Sequence, residues 1–174
     1  SSMTKPIRKA EVEIYASVYR RKLNARTIKI PKGERFEGGD AYVHNGFVYM
    51  RVGVRSTLGA AKHIFEKLEK ELNKRGLEFA IVVDPDPLKR PAKEQMDFMH
   101  LDTFSNPIGD AQIAVCEEET KYRRVKFLRC KKGKVEVIDS GLSFMEHLER
   151  KEKDIVVIPR AEQESFGCNF LATK

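Results

Sequence analysis

Two short segments of the chain carry residue types that could do chemistry. The first is E-G-G-D at positions 37–40, where two carboxylates flank paired glycines that let the backbone approach a ligand or a neighbouring strand closely. The second is M-H-L-D-T at positions 99–103. If this segment is a strand, His100 and Asp102 lie on one face and form a candidate acid-base and cation-binding pair.

Neither segment is specific on its own. A histidine beside an aspartate on a strand is frequently a hydrogen-bonded pair without a catalytic role, and a Gly-Gly pair frequently does no more than enter a tight hairpin. The other histidines, His44, His63 and His147, are expected at the surface or the edge of the core, with no site role.

Hydrophobic periodicity and turn signals predict the elements that position these segments. An Asn45-Gly46 turn divides a hairpin over residues 41–53, and a Lys132-Gly133 turn divides a second over residues 122–138. Helices are predicted over residues 10–23, from a Ser56 or Thr57 cap to Arg75, and from a Ser143 capping box to about 151, and strands over 27–30, 79–83, 99–104, 111–116, 154–158 and 169–172. Residues 84–93, with three prolines, are predicted to be a long connection.

The order hairpin, helix, strand occurs twice in this prediction. It indicates an α/β protein built from ββαβ units, in which helices cover a sheet assembly and strand ends and hairpin loops build a site.

In this order the segments resemble the signature of the pentein superfamily, which includes arginine deiminases, dimethylarginine dimethylaminohydrolases, agmatine deiminases and amidinotransferases. The resemblance rests on E-G-G-D before an alternating strand, an N-G turn, a second strand ending in glycine, an Arg-Ser-Thr step into a helix, and then M-H-L-D-T. It covers residues 36–104. G-C-N-F-L at 167–171 is also similar to the G-x-N-x-L strand of the family.

The resemblance implies covalent chemistry on an arginine-like small molecule, with no cofactor and no metal. In such enzymes a cysteine thiolate attacks the guanidinium carbon, and water or an amine releases the amidino group. By motif, His100 would be the general acid-base, Glu37 would orient it and stabilise its charge, and Asp102 would hold the guanidinium. Asp40 would be a further site or strand-packing residue. Arg55 would meet a substrate carboxylate, although its spacing is shorter than in the family.

The chain departs from the family pattern at the nucleophile. The family places its cysteine past the G-x-N-x-L strand, and no residue here occupies that position, since Cys168 lies inside the strand motif. We therefore expect the chain alone to be inactive. Deiminase and transferase reactions stay open alternatives.

The fold implied is an α/β-propeller of five ββαβ units. Residues 1–174, as one domain or a fragment of one, would hold an incomplete ring of about three units. A fragment, self-association or a partner chain that completes the ring, and a degenerate relative that binds without catalysis all fit this pattern.

The formal net charge of +7 raises nucleic-acid binding as an alternative. Eight basic residues fall along the second predicted hairpin: Lys121, Arg123, Arg124, Lys126, Arg129, Lys131, Lys132 and Lys134. Charged residues are ordinary on the wet face and turn of a hairpin, so we do not expect nucleic acid as the partner. A non-catalytic module for guanidino ligands or nucleic acid is kept as the alternative function.

The three cysteines are an odd number with no C-x-x-C pair and no histidine at ligand spacing, so they indicate neither a disulfide framework nor a zinc site. A reducing compartment fits this pattern best. Cys116 and Cys130 lie in strand-like surroundings and are expected as small buried hydrophobes. No apolar run approaches the ~20 residues that span a bilayer. We expect a cytoplasmic protein without membrane contact, in which Ser1 and Ser2, ahead of Met3, are left over from expression.

Overall fold

The computed structural model describes residues 9–85, 99–110, 112–165 and 167–170. The helices are α1 (Lys9–Leu23), α2 (Leu58–Arg75), α3 (Glu117–Tyr122), α4 (Phe144–Lys151) and α5 (Arg160–Gln163). The strands are β1 (Ala41–His44), β2 (Phe47–Val52), β3 (Glu78–Val83), β4 (Ser105–Pro107), β5 (Gln112–Cys116), β6 (Arg124–Lys131), β7 (Lys134–Ser143) and β8 (Asp154–Ile158). A 3-10 turn, Gly38–Asp40, precedes β1.

The elements β1, β2, α2 and β3 form one ββαβ unit. The hairpin turns at Asn45 and Gly46, whose φ angles of 42° and 82° are the positive values that a tight two-residue turn requires. The Thr57 hydroxyl accepts a hydrogen bond from the Ala60 amide and caps α2, which ends at Gly76 with φ 65°. β3 then pairs parallel to β2. This part of the sequence prediction is confirmed.

The strands β4, β5 and β8 form a second unit with an insertion. β4 pairs antiparallel with β5, and β8 pairs parallel with β5. Between β5 and β8 the chain forms α3, the hairpin β6–β7 and α4, which begins at Ser143 with the predicted capping box to Glu146. The β6–β7 hairpin does not belong to the sheet of this second unit, because β6 pairs antiparallel with β3 of the first unit.

The described residues thus form two mixed sheets, with strand orders β1-β2-β3-β6-β7 and β4-β5-β8. The second hairpin and β8, which follow one another in the predicted order hairpin, helix, strand, therefore lie in different sheets. Periodicity identifies a strand without identifying its partner, and β6 pairs with a strand that lies more than forty residues earlier in the chain. A propeller of about three units is not confirmed, and no closed barrel is seen among the described residues.

Two apolar clusters support the sheets. One packs α2 against the five-stranded sheet and includes Phe65 and Phe79. The other contains residues from both sheets and from α4, together with Leu101 and Phe104, which are fully buried. Burying a side chain of this size contributes about 1.5–3 kcal/mol. The segment between the two units is therefore anchored in a core that both sheets share.

Three predicted strands are not formed in the described residues. Residues 27–30 pair with no strand. Of the predicted strand 169–172, Asn169 and Phe170 are irregular, and 171–172 lie outside the described residues. Residues 99–104 form bends and turns, because the Leu101 carbonyl accepts hydrogen bonds from the Phe104 and Ser105 amides instead of a neighbouring strand. Of the predicted connection 84–93, residues 86–93 lie outside the described residues.

The sequence patterns do not predict α3 and α5, which are shorter than the window over which helical periodicity can be recognised. No helix in the described ranges has the length and apolar character needed to cross a bilayer.

Candidate active site

The E-G-G-D segment turns tightly ahead of β1 and presents both of its carboxylates on one side. The Asp40 amide donates to the Glu37 carbonyl at 3.1 Å. Ser56, just before α2, holds both ends of the turn: its Oγ accepts from the Glu37 amide at 3.2 Å and donates to Asp40 Oδ2 at 2.6 Å. Glu37 and Asp40 are 4% and 0% exposed. The turn is therefore fixed by buried hydrogen bonds.

The second segment docks onto this turn. The side chains of its Leu101 and of the adjoining Phe104 are buried in the core, while two of its backbone amides bond to the first segment. The Leu101 amide donates to Asp40 Oδ1 at 3.3 Å, and the Asp102 amide donates to the Gly39 carbonyl at 3.0 Å. The two segments found in the sequence thus meet, although the second is a turn and not the predicted strand.

His100 lies between the two buried carboxylates. Its Nε2 is 3.4 Å from Glu37 Oε2, and its Nδ1 is 3.4 Å from Asp40 Oδ1. An imidazolium in this place donates from both ring nitrogens, and a carboxylate on each side compensates its charge. A ring held in this way can act as a general acid-base when a reacting group comes within hydrogen-bond reach of one of its nitrogens.

Asp102 brings a third carboxylate to the same place. An added Cβ on Gly39 would lie 2.9 Å from both Asp102 carboxylate oxygens and 3.0 Å from His100 Cγ, so all three residues are in close contact. Burial raises the Asp102 pKa above its usual range, the positive charge of His100 lowers it, and the negative charge of Asp40 raises it further. A cationic ligand would relieve this crowding of negative charge.

Arg55, predicted to meet a substrate carboxylate, lies against Glu37. Its Nη1 is 3.6 Å from Glu37 Oε1, and its Nη2 donates to the sulfur of Met99 at 3.2 Å. Arg55 is 6% exposed. Here it compensates the buried Glu37 charge, and contact with a substrate carboxylate stays a prediction.

Sequence reasoning missed the hydrogen-bonding roles of Ser56 and Thr103. Ser56 was expected only as one of two possible helix caps, and Thr57 is the residue that caps α2. Thr103 Oγ1 donates to the His100 carbonyl at 2.7 Å and accepts from the His100 amide at 3.3 Å. Thr103 belongs to the second segment and Ser56 to the Arg-Ser-Thr step, so their positions beside Asp102 and Arg55 are the signal that could identify them.

None of the three cysteines has the features of a thiolate nucleophile. Cys168 and Cys116 are buried in the core shared by the sheets, and burial raises the pKa of the Cys168 thiol to about 12 and also raises that of Cys116. Cys130 is exposed, so its predicted burial is wrong, because it lies at the end of β6 beside the hairpin turn. A thiolate nucleophile needs a lowered pKa, which none of these thiols has.

Two of the other histidines have structural partners. His44 Nε2 lies 3.0 Å from Glu152 Oε2, and His147 Nε2 lies 3.0 Å from the Tyr49 hydroxyl. Both histidines are buried, and burial lowers the pKa of His147 to about 4. In the described parts of the chain, no group of three or more residues is arranged to bind a metal ion.

The paired glycines give a direct test of this geometry. We expect Gly39→Ala to disturb the site, because its new Cβ would meet the Asp102 carboxylate and the His100 ring, whereas Gly38→Ala adds a Cβ with no atom within 4 Å. The ring signals of His100 in NMR spectra should move strongly in Gly39→Ala and little in Gly38→Ala. Equal effects of the two variants would contradict the close contact at Gly39.

Comparisons with known proteins agree with this fold. The family model for arginine deiminase matches residues 1–174. ArgZ, an arginine dihydrolase from the ornithine-ammonia cycle in cyanobacteria, is 18% identical with a TM-score of 0.66, over 98% of this chain and 22% of that chain. AgrE, solved with ornithine and NAD+, is 19% identical with a TM-score of 0.65, over 100% of this chain and 21% of that chain.

The chain spans about a fifth of the length of these two structures, and at such low identity the likeness concerns the fold alone. A search among curated proteins finds no match. The family model covers the whole chain, including both motif segments. The chain therefore belongs to the arginine deiminase family of the pentein superfamily.

Proposed function

We propose that the chain supplies the acidic and histidine part of an active site that modifies guanidino compounds. The observation that carries the proposal is the position of His100 between the buried carboxylates of Glu37 and Asp40. The Asp102 carboxylate lies next to the His100 ring, and both pack against Gly39. Membership of the arginine deiminase family supports this reading. The relatives' descriptions, an arginine dihydrolase and a complex with ornithine, concern ligands of the expected type.

In this proposal Asp102 binds the guanidinium of the ligand. A guanidinium is planar and always charged, and a carboxylate can accept two parallel hydrogen bonds from it. Asp102 is partly exposed, while the oxygens of Asp40 already accept hydrogen bonds from Ser56 and Leu101. Asp40 is therefore assigned to holding His100 and the turn, and Asp102 to the ligand.

His100 is proposed as the general acid-base. When a thiolate adds to the guanidinium carbon, the carbon–nitrogen bond to the leaving amine breaks, and that nitrogen takes the proton from His100. In the second step water, or an amine in a transferase, returns a proton to His100 as it attacks the same carbon and the sulfur leaves. Glu37, whose charge Arg55 compensates, orients the ring and stabilises its cationic form.

The thiolate is proposed to come from outside these residues, because no cysteine of the chain fits the role. Cys168 and Cys116 are buried with raised pKa values, and Cys130 is exposed on a hairpin with a raised pKa. The source would be another part of a longer protein, a second copy or a partner chain. The isolated chain should then bind a guanidinium without turning it over.

The alternative of nucleic-acid binding gains no support from the comparisons. On the β6–β7 hairpin, Lys126 pairs with Asp139 at 3.1 Å and Arg129 pairs with Glu78 at 3.3 Å. Part of the basic charge of this hairpin is therefore compensated within the fold.

Replacing Asp102 tests the proposed ligand contact. We expect Asp102→Asn to weaken agmatine or arginine binding about tenfold or more, because a hydrogen bond to a charged group contributes about 1.5–3 kcal/mol. Isothermal titration calorimetry measures the affinity, and Glu136→Gln, which changes an exposed acid on β7, is the control. Equal affinities for wild type and Asp102→Asn would remove Asp102 from the site. Release of citrulline or ornithine by the isolated chain would show that its own residues suffice for turnover.

The raised pKa of Asp102 predicts a pH dependence of binding. Protons compete with the guanidinium for the carboxylate, so affinity should be full well above the Asp102 pKa and should fall as the pH drops through it. Because that pKa is raised, the loss begins at a higher pH than for an exposed aspartate. Calorimetry from neutral pH to about pH 4, with circular dichroism to confirm folding, measures the effect. In Asp102→Asn this acid limb should disappear, and its persistence would assign the titration to another group.

A further inference from the structure

The peptide group that precedes His100 is held by side chains at both of its polar atoms. Its carbonyl, that of Met99, accepts a hydrogen bond from Arg51 Nη1 at 2.6 Å. Its N–H, that of His100, donates to Thr103 Oγ1 at 3.3 Å. Residues 99–104 belong to no strand, so no sheet ladder orients this peptide plane. Its orientation sets the direction in which the His100 side chain leaves the backbone.

Arg51, on β2, is itself fixed by a carboxylate. Its Nε lies 3.0 Å and 3.2 Å from the two oxygens of Asp84, and its Nη2 lies 2.8 Å from Asp84 Oδ2. Asp84 directly follows β3, and an added Cβ on Gly53 would lie 1.9 Å from Asp84 Oδ2. Only glycine at that position permits this approach. The ion pair leaves the remaining arm of the guanidinium to reach the Met99 carbonyl.

Asp84 does not depend on Arg51 alone. Arg123 Nε donates to Asp84 Oδ1 at 2.9 Å, and its Nη1 donates to Glu119 Oε2 at 2.6 Å. The Arg123 guanidinium lies 4.0 Å from the centre of the Phe104 ring. The two arginines hold the pKa of Asp84 below its usual range despite its burial. Removing Arg51 therefore leaves Asp84 with a buried cationic partner, and the fold should survive.

We propose that Arg51 is a positioning residue for His100: it holds the Met99 carbonyl so that the imidazole stays between Glu37 and Asp40. The proposal rests on the function proposed above for His100. Arg55 contacts the Met99 side chain and also Glu37, so a displaced Met99 would disturb the carboxylate side of the site as well.

The fork geometry of arginine is what this role requires. A lysine at position 51 carries the same charge on a single nitrogen, which can remain with Asp84 or reach the Met99 carbonyl but cannot reproduce all of the contacts of the guanidinium. Arg51→Lys should therefore keep most of the ion-pair stability and still release the Met99 peptide. A residue with a purely structural role would be rescued by this replacement.

The test compares Arg51→Lys and Arg51→Met with wild type, and Arg129→Met serves as control, since it removes an exposed arginine-carboxylate pair on the same sheet. Amide hydrogen exchange and the ring NMR signals of His100 report on the site, and denaturant unfolding reports on the fold. Agmatine calorimetry is recorded separately.

We expect the His100 and Leu101 amides to exchange at least about tenfold faster in both Arg51 variants, the loss expected from one charged hydrogen bond. The His100 ring signals should shift, and the amides of β3 should stay protected. The control should change neither. If Arg51→Lys matches wild type at residues 100–102, loses protection uniformly across the sheet, or fails to fold, the positioning role is wrong. If the wild type binds no agmatine but the Arg51 variants still show faster exchange at His100 and Leu101, the positioning role stands and the proposed function is rejected.

Discussion

The candidate site depends on how the protein keeps several carboxylates buried close together. A buried charge is tolerated when it is paired and hydrogen-bonded, and like charges at short distance oppose one another. Glu37 lies between Arg55 and His100, and Asp40 accepts hydrogen bonds from Ser56 and Leu101. The local structure of both motif segments follows from meeting these requirements.

Asp102 differs from Asp84, another partly buried acid, in the direction of its pKa shift. Burial and the neighbouring Asp40 raise its pKa, and His100 opposes them only in part. Burial also acts to raise the pKa of Asp84, but Arg51 and Arg123 bring it below its usual range. The fold thus compensates the charge of Asp84 internally, while Asp102 is left where a ligand cation would complete the balance. This contrast is the physical basis for assigning the ligand contact to Asp102.

Local signals in the sequence predicted those parts of the fold that local chemistry determines. The Asn45-Gly46 turn, the ends of α2 and the Ser143 capping box follow from φ preferences and hydrogen bonds within a few residues. The partner of β6 and the turn at residues 99–104 depend on contacts far apart in the chain, which periodicity does not encode. The alternation that resembled a strand there arises because Leu101 is buried between two polar neighbours. Residue type alone is enough to identify the motif segments. Arg51 belongs to no motif, so the sequence does not indicate its role.

The turn formed by the two motif segments is proposed to bind a guanidinium. An NMR titration of the isotopically labelled chain with agmatine tests it most directly, because it locates the ligand as well as detecting it. We expect saturable shifts concentrated at Gly39, the His100 ring and the Asp102 carboxylate. Shifts confined to the β6–β7 hairpin, or none at high agmatine concentration, would contradict it.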